Sequence, residues 1–155
     1  MSAGGACRVI EVDERFEVAA PPATVWLLLS DPDAVVGCVP GAAISAHNDD
    51  GSLETSIGVK FGPLTVAFQA HAELELDPAA MRGRVSARGR DKQGGARFTA
   101  SAAFGVAANG EGSAVTTHGE VEVTGRLASM IEGGAQVVVK RMSAQFADCL
   151  RARCA

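Results

Sequence analysis

An α+β fold, with one antiparallel sheet of seven strands curved around a long C-terminal helix, is what this 155-residue sequence predicts. Three observations lead there. Seven segments alternate apolar and polar residues with a period of two, the mark of strands with one buried face. Short turn signals join the last six of them in succession, which requires antiparallel neighbours. From Gly125 to Arg151 the apolar spacing changes to that of a helix. The inward strand phase is rich in alanine and glycine, so the sheet's inner face leaves space beside the helix.

Residues 1–7 are small and featureless and read as an unstructured start, with a single domain over residues 8–155. In the first strand Ile10, Val12, Phe16 and Val18 share one phase, and Glu14 falls among them. Pro21-Pro22 stops the strand and suits the first turn of a short helix over Ala23 to Ser30. Asp31 is a candidate cap for a second short helix that starts at Pro32 and ends near Gly37. Cys38-Val39-Pro40-Gly41 then reverses the chain. Strands follow at Ala42–Ala46, Leu53–Phe61, Leu64–Leu76 and Arg82–Asp91, and two more are centred on Phe98–Val106 and Val115–Val123. The turns between them carry Asn48 to Gly51, Gly62-Pro63, Asp77-Pro78, Gly94-Gly95 and Asn109-Gly110. Leu64 to Leu76 alternates most cleanly, and a slip of one residue there would bury its charges. The terminal helix, about 25 residues and roughly 37 Å long, carries Gly133-Gly134, each costing about 1 kcal/mol relative to alanine.

Fourteen basic against eighteen acidic side chains give a net charge of −4, which with few aromatics argues against a nucleic-acid surface. The four cysteines, Cys7, Cys38, Cys149 and Cys154, show no CxxC spacing, and no signal-peptide pattern opens the chain, so reduced thiols in the cytoplasm are expected. No apolar stretch approaches the ~20 residues that span a bilayer. His71 and His118 fall in polar strand phases, His47 lies beside a turn, and no zinc-ligand spacing or phosphate-binding glycine motif occurs. No catalytic residue and no metal site are assigned.

One strand, two short helices, six strands and a long helix form the helix-grip order. Within that order the sequence resembles the CoxG-like family of carbon monoxide dehydrogenase accessory subunits, part of the START/Bet v 1-like (SRPBCC) superfamily. The resemblance rests on Phe16-Glu17-Val18, Ala20-Pro21-Pro22 with Val25-Trp26, and Asp31-Pro32 with Cys38-Val39-Pro40-Gly41. It continues through Val59-Lys60-Phe61-Gly62-Pro63, Gly94-Gly95-Ala96 and Val123 to Ala128. It implies a cytoplasmic, non-catalytic accessory protein of a molybdenum hydroxylase of the aerobic carbon monoxide dehydrogenase type. Such a protein is implied to bind an apolar ligand such as a quinone, with no covalently bound cofactor, and to help recruit the enzyme to the inner face of the membrane. Many relatives continue through a Pro/Ala-rich linker into an apolar membrane-binding tail. The sequence ends at Ala155, so membrane contact through its own residues is expected to be peripheral.

The small inner face has two readings: close packing of the long helix, or a hollow for a guest. A dry hollow of ~300 Å³ would cost on the order of 7 kcal/mol, so a guest or the protein's own bulky groups must fill it. The expected walls are Trp26, Val39, Pro40, Phe61, Phe68, Phe98, Phe104, Met130 and Gly134. Glu14 has an edge or bulge position as its plain explanation, and a polar contact with a ligand carbonyl as its functional one. Arg82, Arg84, Arg88 and Arg90 share an outward face, a solvated row or a docking surface for an acidic partner. A small cyclase or hydrolase using the same cavity, and an assembly factor without a ligand, are the alternative functions.

Overall fold

The computed structural model describes residues 7–61 and 63–154. Residues 1–6, which hold most of the expected unstructured start, lie outside the described residues, as do Gly62 of the expected Gly62-Pro63 turn and Ala155. The elements in chain order are β1 (Cys7–Val18), α1 (Pro22–Leu29), α2 (Pro32–Gly37), β2 (Ala42–His47), β3 (Leu53–Phe61), β4 (Leu64–Asp77), β5 (Arg82–Asp91), β6 (Arg97–Asn109), β7 (Gly112–Thr124) and α3 (Ala128–Cys154). The sheet order is β1-β7-β6-β5-β4-β3-β2, with every neighbour antiparallel. The two edge strands, β1 and β2, are the pair that α1 and α2 join in sequence.

Local chemistry sets the boundaries. Pro21 and Pro22 open α1, and the Asp31 carboxylate accepts a hydrogen bond from the Asp33 N–H at 3.0 Å to cap α2. Gly110 turns β6 into β7 at φ +60°, where a β-carbon would be strained. α3 starts later than the sequence spacing suggested. Gly125 takes φ +109°, where a β-carbon would lie 2.8 Å from the Gly95 carbonyl oxygen, and Leu127 N–H donates to that same carbonyl at 2.9 Å, so the chain bends before the helix begins.

Two apolar clusters flank the long helix. The first joins Ile10, Val66, Phe68, Val123, Ala128, Ile131 and Ala135, with Phe61 and Phe98 packed on it. The second joins Val18, Val25, Trp26, Leu29, Val115 and Leu150, with Phe16, Phe104 and Phe146 packed on it. The thiols depart from the reduced state expected of them: Cys38, which caps the C-terminal end of α2, is bonded to Cys149 of α3 across 111 residues, with a Cα separation of 5.5 Å. The pairing depends on α2 docking beside the end of α3, which no local spacing of cysteines encodes. Cys154 stays free, and burial pushes its thiol pKa up.

Candidate functional site

The inner face of the sheet is built in cross-strand rows. One row runs Leu76, Gly83, Phe104, Thr117, Glu14 across β4, β5, β6, β7 and β1; the next runs Leu74, Val85, Ala102, Gly119, Val12. These rows carry few large side chains. Between them and α3 lies a hollow of about 620 Å³, walled mainly by apolar groups. Val12, Phe16, Leu74, Val85, Ala102, Phe104 and Val115 form its sheet side, Val35, Val36 and Val39 close it from α2 and the turn after it, and Met142, Phe146 and Ala147 close it from α3. Exposed Lys140, Asp148 and Arg151 stand in the same wall, so the hollow opens to solvent and is not a sealed dry void.

The structure separates the expected wall residues. Val39 and Phe104 line the hollow, and Glu14 lines it too. Trp26 stands behind the wall, stacked on Phe104 at 6.2 Å between ring centroids. Pro40 is exposed in the turn after α2. Phe61, Phe68 and Phe98 belong to the first cluster, where Phe68 meets Phe98 edge to face at 5.2 Å. Gly134 lies against Phe61, 3.5 Å from where its β-carbon would be. Met130 is 56% exposed, because the helix turns Ile131, Ala135 and Val138 inward and leaves residue 130 on its outer side. Sequence reasoning missed Phe16, Phe146 and the valines of α2. The strand phase of Phe16 and the helical spacing of Phe146 marked both as buried, yet neither pattern tells the end of the sheet that is filled from the end that is not.

Glu14 occupies an edge strand in unbroken register with β7, opposite Thr117. No bulge turns it outward; the irregularity in the sheet lies in β2, between Ile44 and Ala46. No hydrogen bond or ion pair joins the Glu14 or Thr117 side chain to another described residue. Two other polar groups in the wall are engaged with the protein: Thr55 donates to the Ala70 carbonyl, and Arg151 donates to the Glu17 carbonyl and to Asp148 while lying over the Phe16 ring.

The histidines stand outside the hollow. His71 pairs with Glu54 at 2.8 Å, which raises the His71 pKa and lowers that of Glu54, where Asn48 adds a second hydrogen bond. His118 pairs with Asp13, which raises its pKa, and His47 lies 3.3 Å from Asp33. Arg82, Arg84, Arg88 and Arg90 are exposed on the outer face of β5. Among the described residues no group of three or more His, Cys, Asp or Glu side chains is placed to hold a metal ion, and no helix is long and apolar enough to cross a membrane.

A curved antiparallel sheet gripping one long helix, with an open apolar hollow between them, defines a helix-grip protein of the Bet v 1-like class. The family model for the CoxG subunit of carbon monoxide dehydrogenase matches residues 15–155, and the chain belongs to that family. No curated protein matches it in sequence. Among solved structures it is similar to a conserved protein from Geobacillus kaustophilus, 17% identical over 92% of this chain and 93% of that one, at a TM-score of 0.79. It is also similar to the Zhui aromatase/cyclase from Streptomyces sp. R1128, 16% identical over 95% and 94% of the two chains, at a TM-score of 0.62. A truncated norcoclaurine synthase from Thalictrum flavum is 15% identical over 94% and 93%, at a TM-score of 0.61. At these identities the likeness is one of fold.

Proposed function

We propose that the chain is a non-catalytic accessory protein of a molybdenum hydroxylase of the aerobic carbon monoxide dehydrogenase type. It binds an apolar, quinone-like ligand between sheet and helix and helps bring the enzyme to the inner face of the membrane from the cytoplasm. The observation that carries this reading is the open apolar hollow in a member of the CoxG family. Its 620 Å³ falls inside the ~300–1,000 Å³ usual for small-molecule sites. The wall has the usual composition of such sites as well, mostly apolar with a few convergent polar groups.

Native mass spectrometry of gently purified protein, followed by organic extraction, tests the ligand. A co-purifying isoprenoid quinone is the expected result. An empty hollow, combined with retention of the hydroxylase in a low-salt pull-down, would leave an assembly factor without a ligand. Turnover by the purified chain that disappears in Glu14→Gln would replace the carrier with an enzyme. Failure of the pull-down would remove the recruiter role.

A further inference from the structure

We infer that the hollow selects a ligand whose head carries a hydrogen-bond donor, a phenolic or alcoholic hydroxyl, and that Glu14 is the residue that makes the selection. This deepens the proposed function and rests on its reading of the hollow as a ligand site.

Glu14 and Thr117 are register partners on the inner faces of β1 and β7, both half-buried, both lining the hollow, and both without a partner among the described residues. A guest that fills the apolar space strips water from them and must replace it. A carboxylate, when ionised, accepts hydrogen bonds and donates none, whereas a threonine hydroxyl does both. A ligand carbonyl therefore satisfies Thr117 and leaves an ionised Glu14 desolvated and unpaired. A ligand hydroxyl satisfies both. Across the hollow Lys140 and Ser143 of α3 offer donors. These do not discriminate, because the oxygen of a carbonyl and that of a hydroxyl both accept. Of the carboxylates in the wall, Glu73 and Asp148 are exposed and paired with His71 and Arg151, so the half-buried, unpartnered Glu14 is the group that separates a carbonyl from a hydroxyl.

For a quinone-like guest the consequence is directional. The oxidised ring presents only acceptor oxygens. The reduced ring, two electrons and two protons richer, presents two O–H donors. The geometry at Glu14 points to tighter retention of the reduced form, which reverses the sequence-based expectation that Glu14 meets a ligand carbonyl.

Equilibrium dialysis of the full chain against 1-naphthol and its methyl ether isolates the donor without redox chemistry, since the two probes share one ring system. The naphthol should bind about tenfold or more tightly than the ether to the wild-type chain, as expected for a hydrogen bond to a charged acceptor. In Glu14→Leu that preference should collapse, with the ether bound as well as before or better. Equal affinities on the wild-type chain, or a preference unchanged in Glu14→Leu, would overturn the inference while leaving a ligand site in place. Binding of neither probe to the wild-type chain would instead remove the reading of the hollow itself. If Glu14→Leu loses the ether as well, the near-isosteric Glu14→Gln decides: its neutral oxygen should keep only part of the preference, and a full preference there would overturn the role of the charge.

Discussion

Two glycine–phenylalanine pairs on β5 and β6 are built alike and end differently. Gly89 faces Phe98 and Gly83 faces Phe104 in direct cross-strand register, and in each case the ring lies over the glycine where a β-carbon would otherwise stand. Phe98 then meets Phe68 edge to face, and the first cluster closes against Ile131 and Ala135 of α3. Phe104 instead has Trp26 on one side and the hollow on the other. None of the hollow's wall comes from the first cluster, whereas Leu29, Phe16, Phe104, Val115 and Phe146 of the second contribute to it. Small residues alone therefore do not make a hollow. The same glycines and alanines give a filled end where a third strand adds an aromatic ring, and an open end where the next layer is a short helix.

The open end has a covalent tie that the filled end lacks. Cys38 of the α2 cap and Cys149 of α3 tie together the two helices that contribute to the wall of the hollow. Because the bridge closes a loop with a sequence separation of 111, its removal in Cys149→Ser should lower stability by about 2–4 kcal/mol. The loss should be uneven. Hydrogen exchange is expected to speed up in α2 and the last turns of α3 and to stay slow in β4 and the first half of α3. Uniform loss over both ends would show that packing, not the tie, holds the open end together.

Alanine at the two paired glycines sharpens the contrast. A β-carbon at Gly89 would lie 2.4 Å from the Gln69 carbonyl oxygen and 2.7 Å from Phe98, so backbone as well as ring must yield. Gly89→Ala should cost about 3 kcal/mol by thermal or denaturant unfolding. At Gly83 the nearest atoms belong to the Phe104 ring, at 2.3 Å, and that ring has free space beside it. Gly83→Ala should cost about 1 kcal/mol and weaken ligand binding, because the displaced ring enters the hollow. Equal costs at the two positions would mean that the open space beside Phe104 gives it no freedom.

These contrasts show what the residues made legible. Alternation placed all seven strands, and Leu64 to Leu76 fixed its register through the charges a slip would bury. Proline and aspartate marked α1 and α2, since each supplies or removes a hydrogen-bonding group at a helix end. The division of the inner face into a filled and an open end was not legible. Phe68, Phe98 and Phe104 share the inward phase of their strands, and only the cross-strand register shows that Phe68 and Phe98 reach one another while Phe104 borders space. The pairing of Cys38 with Cys149 was hidden for a related reason, because it depends on where α2 docks. Met130 was misplaced by the helical pattern, which holds Met130, Ile131 and Gly134 within one broad apolar arc and leaves open which edge of that arc meets solvent.

The smallest expected effect lies on the same helix. Sequence reasoning treats Gly133 and Gly134 as a joint penalty that packing or a ligand must offset, but their surroundings differ. A β-carbon at Gly134 would meet Phe61 at ordinary contact distance, and one at Gly133 would meet nothing within 4 Å. Gly133→Ala should therefore raise stability by up to ~1 kcal/mol through helix propensity alone. Gly134→Ala should gain as much if Phe61 accepts the new methyl, and less if the first cluster is too tightly filled to take it. Thermal unfolding of the two variants side by side measures that tightness directly. A gain at Gly133 matched at Gly134 would show slack in the filled end, and a loss at Gly134 alone would show that this end has no room to spare.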